Sequence, residues 1–330
     1  MNKLFYILAT AVLYSCNQNP TVTSEKQANP KIKGVEWKAV DTIDLVAFNK
    51  DLVTGKPTLD VAVYFPSNFD SVFKKVTLVR LIESIRAAKE IYQPTGIQIK
   101  LVWAKTGEVN PFYFSIQANE VPGIPETEYV NTYEHMRRHP SELTEETKNA
   151  FQSIIEPHED NSRTIYLIAL QDVFFPFLEV SEGRNWTMKT VRTGGLSFPT
   201  YSYCNTLSPD FRGVITITNL ERPDRYRKTV AHELGHKVMN VSHEYMNTNP
   251  GHEVFAEGGL MLYGQGEDIP SGKEGRWHLE RLHLSPFLYR LKDDGKLWNE
   301  DYKEGGHYYD PIYGDKVMHF GGKSEIDRDW

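Results

Sequence analysis

The chain has 330 residues, and 37 Lys and Arg against 44 Asp and Glu give a formal net charge of −7 at neutral pH, which excludes nucleic-acid binding driven by bulk positive charge. With 40% hydrophobic and 25% charged residues, the composition is that of a folded soluble domain and excludes a disordered chain or a multi-span membrane protein. Two cysteines, Cys16 and Cys204, are too few for a disulfide framework or a cysteine-based structural zinc site.

Met1-Asn2-Lys3 precede a mostly apolar stretch from Leu4 to Leu13 that is too short to span a bilayer, the pattern of an export signal. Its ending, Leu13-Tyr14-Ser15-Cys16, resembles the bacterial lipobox, although Tyr14 is bulkier than that pattern usually carries. The resemblance implies a signal peptide over residues 1–15 and a lipid on Cys16. The protein is then exported and anchored on the periplasmic or cell-surface face of a bacterial membrane. A plain secretory signal with an incidental cysteine is the alternative. Residues 17–34 are polar and poor in aromatics, so 16–34 reads as a lipidated flexible tether and the folded domain as 35–330.

Leu59 to Phe65 alternates and ends at Pro66, as a strand does. From Asp70 to Tyr92, Val72, Val76, Val79, Ile82, Ile85 and Ile91 recur near helical spacing, with Asp70 or Ser71 as N-cap and Pro94 and Gly96 as stops. Ile97 to Trp103 alternates again, so the opening reads as strand, helix, parallel strand. Residues 107–162 are polar and turn-rich, an insertion over the surface with one helix around Thr144 to Ile155. Strands follow at Ile165–Leu170, Gly195–Phe198 and Gly213–Thr218, and Pro199 places the second of these at a sheet edge. Pro223-Asp224 starts a helix, and Trp277 to Leu291 reads as a C-terminal helix interrupted at Ser285-Pro286 that packs below the cleft.

The Pro223 helix carries His232-Glu233-Leu234-Gly235-His236, the H-E-x-x-H pattern. With 3.6 residues per turn, His232 and His236 project from one face and can share one zinc ion. Glu233 beside them can take the proton of a metal-activated water as general base. Gly235 costs a helix about 1 kcal/mol unless packing requires it. A catalytic zinc also takes a third protein ligand, and His243, Glu244, His252, Glu253 and Glu257 lie downstream. Asn240 can end the helix in a left-handed cap and turn the chain back, three residues before His243.

With these residues the chain resembles the metzincin clan of zinc peptidases, whose motif is H-E-x-x-H-x-x-G-x-x-H followed by a methionine turn. The resemblance implies His232, His236 and His243 as metal ligands, Glu233 as base, Met261 beneath the metal and Tyr263, in the M-x-Y spacing of astacin-like members, as a catalytic hydrogen-bond donor. One extra residue separates the second and third histidines, and Asn240 stands where the clan has glycine. The implied fold is α/β (α+β): a mixed twisted sheet with a zinc helix over 35–243, and a smaller irregular C-terminal subdomain over 244–330. In this clan the edge strand before the zinc helix pairs with substrate backbone, which falls to Gly195–Phe198 here. The implied activity is hydrolysis of peptide bonds in extracellular or periplasmic proteins, with one Zn2+ as cofactor, a peptide or protein as partner and no nucleic acid.

Two other functions remain open. A gluzincin-type peptidase takes its third ligand from a glutamate such as Glu253 or Glu257, but Pro250-Gly251 and Gly258-Gly259 leave that helix little more than one turn. A non-catalytic surface lipoprotein with a vestigial metal site could use the aromatic tail, Trp298, Tyr302, Tyr308, Tyr309 and Tyr313. Cys204 reads as a buried thiol rather than a latency switch, since the pro-segment motif of silenced metzincins is absent. The basic run Arg222 to Lys228 reads as a solvated helix face.

Overall fold

A computed structural model describes residues 34–119, 143–157, 163–181, 185–198, 209–239, 259–261, 269 and 276–299. They form a mixed α/β fold. From edge to edge the larger sheet runs β1 (Lys38–Ala39), β3 (Gln98–Gly107), β2 (Thr58–Pro66), β5 (Ile165–Ala169), β9 (Val214–Ile217) and β8 (Gly195–Ser197). The four inner strands are parallel, and β1 and β8 are antiparallel at the two ends. Every residue of β5 and β9 is buried, which matches their apolar sequences, because parallel strands covered on both faces have no polar side.

Alternation along the strands feeds two cores. Val61, Val63, Leu167 and Ile215 face helices α2 (Leu78–Tyr92) and α4 (Pro223–Met239). Ala62, Tyr64, Tyr166 and Ile168 face α3 (Glu145–Ile154), the helix expected around Thr144 to Ile155, which Thr144 caps by accepting the Thr147 N–H. The second core corrects the expectation for 107–162. Val109, Phe114, Ile116 and Phe151 are buried in it, so the stretch is not a mere surface insertion. A second sheet joins β4 (Ser115–Gln117) to β6 (Asp172–Ser181), and β6 pairs with β7 (Asn185–Arg192) in a hairpin that the sequence reading lacks.

Helix α2 begins later than its apolar spacing predicts. Thr77 caps it by accepting the Arg80 N–H, while Asp70 accepts the Val72 N–H at 2.9 Å in a turn and leaves Val72 exposed. It stops as expected: after Pro94, Gly96 takes a left-handed φ of 80°. A short helix, α1 (Leu45–Asn49), covers the outer edge of β3, where the Asn49 side chain donates to the Leu101 carbonyl at 2.8 Å and accepts its N–H at 3.0 Å.

The C-terminal expectation is also corrected. Helix α5 (Arg276–Leu284) ends before Ser285-Pro286, and the chain continues as β10 (Leu288–Lys292), paired with β11 (Gly295–Trp298) and with the start of β2. Polar ties outweigh helical spacing here. Tyr289 donates to the buried Asp60 carboxylate at 2.7 Å, Lys296 pairs with it at 2.8 Å, and Arg163 donates to the Pro286 carbonyl at 2.8 Å. Among the described residues no helix is long and apolar enough to cross a membrane.

Candidate metal centre

Helix α4 is fixed before any metal is considered. Its apolar side, Val230, Ala231, Leu234, Val238 and Met239, is buried against α2 and the sheet. Two α2 hydroxyls hold its backbone: Tyr92 donates to the Ala231 carbonyl at 2.9 Å, and Ser84 donates to the Tyr226 carbonyl. At the other end the buried Arg281 of α5 donates its Nε to the Met239 carbonyl at 2.8 Å. That bond satisfies a carbonyl the helix leaves open and sets a cation at its negative end.

On this rod His232 and His236 converge, their Nε2 atoms 3.1 Å apart and their rings nearly perpendicular at 87°. His232 Nδ1 lies 2.7 Å from the Leu260 carbonyl, which can only accept, so the proton sits on Nδ1 and Nε2 keeps its lone pair. Burial holds the His232 pKa below its ordinary value, in the neutral form that a metal requires. Two tetrahedral ligands at ~2.0–2.1 Å from zinc stand ~3.3 Å apart, so this pair fits a shared ion. Among the described residues no third His, Cys, Asp or Glu joins them. His243, Tyr263, Asn240, Glu253, Glu257, Cys16 and Cys204 lie outside the described residues.

Glu233 reaches the edge strand at Gly195 and Ser197 and is 7% exposed. Burial pushes its pKa up to about 8, against the pull of the Ser197 N–H donated to its carboxylate and of the Lys237 ammonium. Gly195 makes this approach possible, because a β-carbon there would lie 2.7 Å from Glu233 Oε1. The strand expected beside the helix, Gly195–Phe198, therefore touches the expected base.

Gly235 has the packing reason its helix position demands. A β-carbon on it would come within 2.4 Å of Met261 Sδ. Met261 is fully buried, and the residue before it supplies the carbonyl that orients His232. Spacing alone does not single out Lys237, Tyr92, Gly195, the Ser197 N–H, the Leu260 carbonyl or Arg281. Backbone groups carry no sequence signal, and Lys237 reads as one more polar residue after the motif. Its ammonium is buried, donating to the Phe198 carbonyl and, at 2.7 Å, to the Arg212 carbonyl. Burial pushes its pKa far below the ordinary lysine range, and the Glu233 carboxylate opposes that shift.

No family model matches this chain, and no curated protein matches it.

Proposed function

We propose that the chain is a zinc-dependent peptidase of metzincin type, anchored outside the cell by a lipid on Cys16. The observation that carries this reading is the pair of Nε2 atoms 3.1 Å apart, with the intervening Glu233 carboxylate lying against an edge strand. His232 and His236 would hold the ion, with His243 as third ligand by resemblance. Zinc, when bound, would supply the Lewis acidity that makes water a nucleophile near neutral pH.

The remaining work falls to the chain's own groups. Glu233, buried against β8, can take a proton at its carboxylate as water attacks the carbonyl and return it to the departing amine. The Ser197 N–H and the Gly195 contact fix where that carboxylate sits. Among the described residues strand β8 is the end strand of the larger sheet, where an extended peptide can add by backbone hydrogen bonds. Tyr263 is assigned by resemblance a hydrogen bond to the developing oxyanion.

One observation favours the metzincin type over the gluzincin type: Met261 packs under the motif glycine, where the resemblance puts its methionine turn. The test is metal content and casein hydrolysis of the purified mature protein. Near-stoichiometric zinc, with hydrolysis lost on chelation and restored by zinc, is expected. A zinc-loaded protein that cleaves nothing would favour the binding-lipoprotein alternative.

A further inference from the structure

We propose that Lys237 is a positioning residue that clamps the edge strand β8 to the active-site helix. The clamp stands on geometry alone, and its consequence for substrate rests on the peptidase reading above. Lys237 lies one helical turn beyond Glu233, so both side chains leave the same side of α4. It is 1% exposed, and lysine reaches such depth only with partners for its donors. The partners are two backbone carbonyls, those of Phe198 and Arg212.

Their place in the sheet gives the ammonium its task. The β8–β9 pairing continues to the Phe198 N–H, which donates to the Val214 carbonyl at 3.2 Å. The next residue, Pro199, has no N–H and cannot extend the ladder. Just past that point Lys237 Nζ bridges the two chains, joining the end of β8 to the residues that lead into β9, and tying both to α4. One turn earlier Glu233 holds the same strand through Ser197 and Gly195. Two attachments a turn apart set both the spacing and the tilt of β8 against the helix. A methionine of similar length would fill the volume without the cost of burying an ammonium, but would leave both carbonyls without this donor. In a peptidase whose substrate pairs with β8, the clamp keeps the strand edge ordered before substrate arrives, so binding does not have to order it first.

The test compares wild type with Lys237→Met as zinc-loaded mature protein, by hydrogen exchange, zinc content and kinetics on an extended peptide. The amides of residues 195–198 should exchange at least about tenfold faster while those of α4 keep their protection and zinc is retained. KM for the long peptide should rise about tenfold or more with kcat within about threefold, because saturating substrate rebuilds the strand. Unchanged exchange in β8, or equal acceleration across the whole fold, overturns the proposal. Lys237→Gln, read the same way, replaces a methionine variant that does not fold, and failure of both to fold assigns Lys237 to the core and also overturns it. An inactive wild type would remove the peptidase reading and leave the exchange result to decide the clamp.

Discussion

The sulfur of Met261 lies so close to the backbone of Gly235 that a β-carbon at that position would stand 2.4 Å from it. Two segments that the sequence keeps apart thus meet under the histidine pair, and the carbonyl of Leu260 comes with them to orient His232. Gly235→Ala gains about 1 kcal/mol of helix propensity, yet it must displace Met261, and overpacking of this kind costs roughly 1–3 kcal/mol. A lowered melting temperature is expected, and adding Met261→Ala should cost less in the Gly235→Ala background than in wild type. A higher melting temperature for the single variant would contradict the contact.

Gly195 plays the same part for Glu233. A β-carbon there meets the carboxyl group itself, and a flexible side chain can move aside. Gly195→Ala should therefore leave folding and zinc content near wild type and lower kcat/KM by about tenfold or more, since a displaced base transfers protons poorly. Unaltered turnover in this variant would show that the carboxylate has no required place against β8.

Burial of Glu233 has a signature in stability. Its folded pKa, about 8, is raised above the unfolded value, so the folded state binds the extra proton between about 4.5 and 8. The contribution is fully present below the unfolded pKa and is lost as pH rises through the folded one. In metal-free protein, the stability of wild type minus that of Glu233→Gln should fall across this window by on the order of a few kcal/mol. Denaturant titrations at pH 5 and pH 8.5 measure it, and a flat difference would mean that the carboxylate is solvated.

The third ligand separates the two peptidase types. His243→Ala should lower zinc affinity far more than Glu257→Ala, because loss of a direct ligand opens the coordination shell. Isothermal titration with zinc on both variants checks the order, and the reverse ranking would assign the chain to the gluzincin type.

Much of this was legible where one residue type has one job. The runs Leu59–Phe65 and Ile165–Leu170 became β2 and β5 nearly as bounded, because parallel strands covered on both faces tolerate few polar residues. Pro94 and Gly96 stopped α2 where they stand, since neither continues a helix. Legibility failed where tertiary ties outvote periodicity. Val72 fits the helical spacing but sits exposed in an Asp70 turn, and Phe287 to Leu291 leave the helix because Asp60 and Arg163 hold the hairpin. The convergence of His232 and His236 was legible in their four-residue spacing, which puts both on one helix face. The Leu260 carbonyl and the Ser197 N–H, which orient His232 and Glu233, are backbone groups present at every non-proline position and so leave no trace in the sequence.

The central claim is that Glu233 moves a proton while its two neighbours hold metal. Glu233→Gln keeps the shape of the side chain and removes its proton acceptor. Zinc content and casein hydrolysis measured side by side on wild type and variant give the most direct test. The expected result is equal zinc with hydrolysis lowered by about 10²–10⁴. Equal zinc with equal hydrolysis would contradict it.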